Sequence, residues 1–221
     1  FTYPSVCNHF VDTLLQIKLL SKESKELHPY VKLQRFCSDA VIKKDVLQFT
    51  IMLEGAESIG KNLDNLKLFY DLGVRIIGLT WNIENEYCGN CFSPDNKGLT
   101  KKGRELIKRL AEYKIAADLS HSSKTAFFEA VELSDMPCMT SHSNIHALYP
   151  HPRNITDEQL KLLIDSGGFL GLNFYKNFLG KSGSVDELFS QIDYCMEQGG
   201  EEAVGFGSDF NGFDAQSETS S

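Results

Sequence analysis

The chain has 221 residues, 42% of them hydrophobic, which suits one globular domain with a sizeable core. Lys plus Arg number 22 against 30 Asp plus Glu, a net charge of −8, so no basic stripe offers itself to nucleic acid. No apolar run approaches the roughly 20 residues of a membrane helix. The first residues carry neither an initiator Met nor the charged start of a signal peptide, so the chain reads as cut from something longer.

In chain order, HFVDTLLQIKLLSKE has the apolar spacing of an amphipathic helix. A polar stretch follows, with a short helix or irregular piece over residues 33–42. Residues 1–45 thus form a helical lead-in. From residue 46 to 212 strands and helices alternate. LQFTIML (47–53) reads as a buried strand ending at Glu54, and residues 58–73 as a helix closed by Gly73. VRIIGLT (74–80) is the second strand. A polar loop leads to a helix over residues 99–114, with Thr100 as its N-cap. IAADLS (115–120) is the third strand, followed by a helix over 122–134. MPCMTS (136–141) is the fourth. A helix opened by Thr156 ends at Gly167-Gly168. FLGLNFY (169–175) is the fifth strand, a helix begins near Val185, and AVGFGSD (203–209) is the sixth. The tail, residues 213–221, is small and polar and is expected to fray. Near-continuous apolar strands alternating with helices argue for a parallel sheet covered by helices. No Gly-rich dinucleotide fingerprint follows any strand.

The first polar residues after these runs fall at one end of every strand: Glu54, Thr80 with Trp81, His121, His142, Tyr175 and Asp209. A parallel α/β barrel builds its active site there. His121 and His142, 21 positions apart on neighbouring strand–helix units, could share one cation with Glu54, since imidazole and carboxylate suit zinc. Asp209 is placed for acid/base work or for capping a turn. Arg153 reads either as a surface or capping arginine or as a fork for a substrate carboxylate. Tyr175 reads as core packing with a satisfied hydroxyl or as pocket lining. His146 and His151 read as loop residues, His28 as exposed, and His9 with Asp12 as structural. The six cysteines, at 7, 37, 88, 91, 138 and 195, are scattered and read as reduced thiols in a cytoplasmic setting. Cys88-Gly-Asn-Cys91 has no second pair, so it reads as an ordinary loop, with a redox or structural metal pair as the alternative.

MLEGAESI (52–59), GVRIIGLTWNIENEY (73–87), DLSHSS (118–123), SHSNIHAL (141–148), HPRNITDEQLK (151–161), GGFLGLNFY (167–175) and VGFGSDFNG (204–212) together resemble the motifs of the membrane (renal) dipeptidase family of zinc metallopeptidases. The resemblance implies a TIM-type (β/α)₈ barrel holding two zinc ions joined by a glutamate and a hydroxide. It makes Glu54 the bridging carboxylate and has His121 and His142 complete one metal site. Arg153 would grip the substrate carboxylate, Tyr175 would line the pocket, and Asp209 would handle the proton. The expected substrate is a dipeptide, with a homodimer left open.

Three features depart from that pattern. The family's His-x-Asp pair occurs nowhere in the chain. The six strands match the family's third to eighth, so the chain is expected to be an incomplete barrel with at most one full metal site and weak or no activity alone. Trp81 stands where animal members carry a histidine, as in the bacterial branch, and Asn211 stands where Asp is usual. The alternatives to a dipeptidase are another amide or cyclic-amide hydrolase on the same barrel, or an inactive relative that binds a ligand in the same pocket.

Overall fold

A computed structural model describes residues 9–35 and 44–213. Cys7, Cys37 and the expected frayed tail from residue 214 onward lie outside them. The lead-in helix α1 (His9–Glu26) forms as its periodicity requires and buries Ile17. Phe10 meets Phe69 edge to face at 5.8 Å, which seats α1 on the first strand–helix unit.

Two strand expectations need correction. Val31–Leu33 is a strand, β1, reaching into the helical or irregular piece expected over 33–42; residues 36–42 of that piece lie outside the description. The run 47–53 is two strands rather than one. β2 (Leu47–Phe49) pairs in parallel with β1 in a separate two-stranded sheet, and β3 (Ile51–Leu53) begins the main sheet. Apolar content is continuous across Thr50, so periodicity alone does not reveal the change of partner.

The main sheet runs in sequence order: β3, β4 (Val74–Gly78), β5 (Ala116–Asp118), β6 (Met139–Ser143), β7 (Phe169–Leu172) and β8 (Val204–Phe206). Every neighbouring pair is parallel. Helices follow the strands: α2 (Asn65–Leu72), α3 (Lys101–Glu112), α4 (Lys124–Leu133), α5 (Asp157–Asp165), the short α6 (Lys176–Leu179), and α7 (Val185–Glu197). This is the topology of a TIM-type α/β barrel, present as six strands.

Local chemistry sets the helix ends. Thr100 accepts a hydrogen bond from the Gly103 N–H and caps α3. Thr156 with Gln159, and Ser184 with Glu187, close reciprocal capping boxes on α5 and α7. Gly73 ends α2 at φ +101°, a left-handed backbone that favours glycine. The expected helix over 58–73 starts later than its pattern suggests, because a 3₁₀ turn at Ala56–Ile59 precedes α2.

The core lies between sheet and helices. Phe69, Ile77, Leu106, Leu110, Phe127, Leu163 and Leu170 are at most 1% exposed, and each such side chain contributes about 1.5–3 kcal/mol on burial. Inside the sheet, β6, β7 and β8 approach so closely that a Cβ at Gly171 or Gly207 would run into the carbonyl oxygen of Ser141. Among the described residues no helix is long and apolar enough to cross a membrane.

Candidate metal centre

Glu54 follows β3, His121 follows β5 by three residues, and His142 sits within β6 rather than past its end. Parallel register brings all three to one rim. His121 Nε2 is 3.0 Å from Glu54 Oε1 and 3.0 Å from His142 Nε2, and His142 Nε2 is 3.4 Å from Glu54 Oε1. His121 and His142 are 5% and 8% exposed, whereas Glu54 reaches the open side of the site. Among the described residues these three form the cluster of potential ligands able to hold a metal ion.

The donor atoms suit a cation. His121 Nδ1 lies 2.9 Å from Asn82 Oδ1, an acceptor, which places the ring proton on Nδ1. Arg153 Nη2, which can only donate, lies 3.3 Å from His121 Nε2, so that nitrogen presents its lone pair. Burial pushes His121 down to about 4, outweighing the hydrogen bond that its protonated ring would donate to Glu54, so the ring is neutral at neutral pH. For Glu54, burial works upward, but hydrogen bonds and charge from the two imidazoles when protonated outweigh it and hold the carboxyl well below its ordinary range. Zinc bonds of about 2.0–2.1 Å in a tetrahedral arrangement separate ligand atoms by about 3.3 Å. The separations of 3.0 to 3.4 Å fit that spacing, and two imidazoles with one carboxylate fit its chemistry.

Arg153 is inside the site, not on the surface. It is 3% exposed, donates to the His142 carbonyl at 3.2 Å and lies over the Phe178 ring at 5.5 Å. Its Nη1 is buried with no hydrogen-bond partner among the described residues. Burial pushes its pKa down, yet a guanidinium stays charged in a protein. His151, read as a plain loop residue, stacks against Phe178 at 4.5 Å. With Cys91, Lys124 and His146 it lines a cavity of about 230 Å³ beside Arg153.

Asp209 has φ +60°, and Asn211 has φ +70°. Left-handed backbone at a non-glycine residue costs on the order of 1–3 kcal/mol, least for Asp and Asn. Asn at 211 is therefore compatible with the turn. Asp209 Oδ2 accepts from Asn173 Nδ2 at 3.2 Å. Asn173 is fully buried and interlocks with Asn144 through two hydrogen bonds, of 3.0 and 3.1 Å. Tyr175 is half-buried between Phe178 and Phe213, and its hydroxyl accepts from Asn177 Nδ2 at 2.8 Å. Trp81 lies against His121 with ring centroids 6.3 Å apart.

Cys88, expected in a polar loop, is 1% exposed, and burial pushes its thiol up to about 12. Cys88 and Cys91 are both free thiols. Asn82, Asp118 and Asn173 were not singled out by sequence. Asp118 sits inside an apolar run that reads as plain strand, yet a carboxylate there signals a buried polar network. Asn82 and Asn173 carry no such mark, since a single Asn near a strand end is common.

A carboxylate and two imidazoles at the C-terminal rim of a parallel α/β barrel define the class, a metal-site barrel protein. The sequence model of the membrane dipeptidase family (peptidase family M19) matches residues 6–220, and the chain belongs to this family. It is 40% identical over 179 residues to an uncharacterized protein from the pqqA 5′ region of Klebsiella pneumoniae, covering 76% of this chain and 66% of the relative. It is 32% identical over 213 residues to an uncharacterized dipeptidase of Schizosaccharomyces pombe, covering 91% and 51%. A metallo peptidase from Rhodobacter sphaeroides, solved with a phosphinate mimic of the dipeptide L-Ala-D-Ala, superposes with TM-score 0.83 at 32% identity, covering 92% of this chain and 62% of that one. An amidohydrolase from Pseudomonas aeruginosa gives TM-score 0.85 at 29% identity, covering 91% and 63%. The chain spans between 41% and 66% of the length of five curated relatives that it matches.

Proposed function

We propose that the protein is a zinc-dependent dipeptidase that hydrolyses a short peptide bond beside a free carboxylate. The observation that carries this reading is the convergence of Glu54 Oε1, His121 Nε2 and His142 Nε2 within 3.4 Å of one another, with the Arg153 guanidinium alongside. Zinc held there would supply Lewis-acid polarisation of the scissile carbonyl and an acidified water. Glu54, on the open side, would also help hold a second ion, whose other ligands would come from beyond this triad. Family membership and the ligand named for the Rhodobacter sphaeroides structure support this choice of substrate class.

The chain's own residues divide the remaining work. Arg153 presents the unpartnered Nη1 to a substrate carboxylate, with Phe178 and the His142 carbonyl fixing its plane. Asp209, aimed by Asn173, carries the proton between attacking water and leaving amine. Tyr175 and Phe178 form one aromatic wall. In the full-length protein, zinc content and turnover of L,L- and L,D-dipeptides test the reading together with Arg153→Ala. That variant should raise KM about 10- to 100-fold for substrates with a free carboxylate, the range of a lost charged hydrogen bond of about 1.5–3 kcal/mol. Unchanged kinetics would remove Arg153 from its role. Cleavage of cyclic amides but of no dipeptide would favour the amidohydrolase reading suggested by the Pseudomonas aeruginosa structure.

A further inference from the structure

We infer that Asp118 is a positioning residue that fixes the tautomer of His142 through two serine hydroxyls. The inference rests on the metal-site reading above and adds what orients one of its ligands.

The path is continuous. Asp118 is 2% exposed at the end of β5. Its Oδ1 accepts the Ser120 hydroxyl at 2.6 Å and the Ser141 backbone N–H at 2.7 Å. Ser120 Oγ lies 3.2 Å from Ser141 Oγ, and Ser141 Oγ lies 2.7 Å from His142 Nδ1. Ser120 Oγ also accepts the His142 backbone N–H at 3.2 Å.

Each hydroxyl has one proton to give. The short bond to Asp118 takes the proton of Ser120, which leaves Ser120 Oγ as an acceptor. Ser141 then donates to Ser120, so Ser141 Oγ accepts from His142 Nδ1–H. All the hydrogens point one way, from imidazole to carboxylate. The Nε2 of His142 is left with its lone pair, facing Glu54 and His121. The reverse orientation would set the lone pairs of Ser120 and Ser141 against each other. Metal-binding histidines commonly donate their second N–H to a carboxylate. Here the carboxylate is two hydroxyls away and lies on the neighbouring strand, so the same network also locks the β5–β6 register, where a single residue pair defines the ladder.

The test uses the full-length protein and its Asp118→Ala, Ser141→Ala and Ser141→Thr variants. ¹⁵N NMR of the imidazoles, with metal removed, reports which nitrogen of His142 carries the proton. A zinc titration against a chelator reports affinity. The wild type and Ser141→Thr, which keeps the hydroxyl, should show the proton on Nδ1. Asp118→Ala and Ser141→Ala should show mixed tautomers and bind zinc about 10- to 100-fold more weakly, the usual cost of losing an outer partner. Ser141→Ala keeps the test alive if Asp118→Ala fails to fold. A wild-type proton on Nε2, or variants with unchanged tautomer and affinity, would overturn the relay. A protein with the expected tautomers that binds no zinc would support the relay and overturn only the metal reading.

Discussion

The rim of the barrel is built in two ways. At β5 and β6 the site is dense: His121 and His142 are nearly buried, and each ring nitrogen faces a polar atom within 3.4 Å. At β8 it is open: Asp209 is held by one side-chain bond of 3.2 Å on a left-handed backbone, with Phe206 and Phe210 68% and 67% exposed beside it. A ligand set must be rigid before its ion arrives, so it belongs where packing is complete. The proton-carrying role proposed for Asp209 requires its contacts to shift during turnover, and the looser edge permits that.

Exchanging effects between the two regions would break this comparison. His142→Ala should abolish both metal binding and hydrolysis, read by bound zinc and turnover together. Full metal content in that variant would show that the dense region does not hold the ion. Asp209→Asn should lower kcat about 10²- to 10⁴-fold, the usual contribution of a general acid or base, while zinc content stays at the wild-type level. Loss of metal in Asp209→Asn would merge the two regions into one. A smaller effect is expected from Asn173→Ala, which removes the bond that aims Asp209 together with the one that Asn173 Oδ1 accepts from the Tyr175 N–H. Its kcat should fall about tenfold, matching a charged hydrogen bond near 1.5 kcal/mol, with KM little changed. Thiol labelling gives the mildest probe. Burial pushes Cys88 and Cys195 up to about 12 and Cys138 up to about 11, so Cys91, the half-buried one, should react fastest of these four. Its N–H is bonded to the His121 carbonyl at 2.9 Å, so its labelling rate measures how closed the dense region is.

Much of the dense region is readable as sequence, because each ligand candidate follows a strand whose apolar run is unmistakable. Strand order places Glu54, His121 and His142 on one rim before any coordinate is known. The reading loses its grip where partners are non-local. The break at Thr50 depends on β1, three residues long and 16 positions away in register, and no local pattern encodes it. The open region is less readable still. Asp209 is found by its place after a strand, but the Asn173–Asn144 pair that aims it spans 29 positions and contains only asparagines. Asp118 escapes for the opposite reason, since its role lies in a hydroxyl path that exists only once β5 and β6 are side by side.

Gly171 and Gly207 both abut the carbonyl of Ser141, one residue before His142. At this level the barrel interior is filled by main chain, and no side chain can be added without moving that carbonyl. Two positions that touch no ligand thereby set the height at which an imidazole enters the site. Mutational sensitivity in this protein should extend one layer beneath its chemistry, with glycine as the residue that cannot be exchanged.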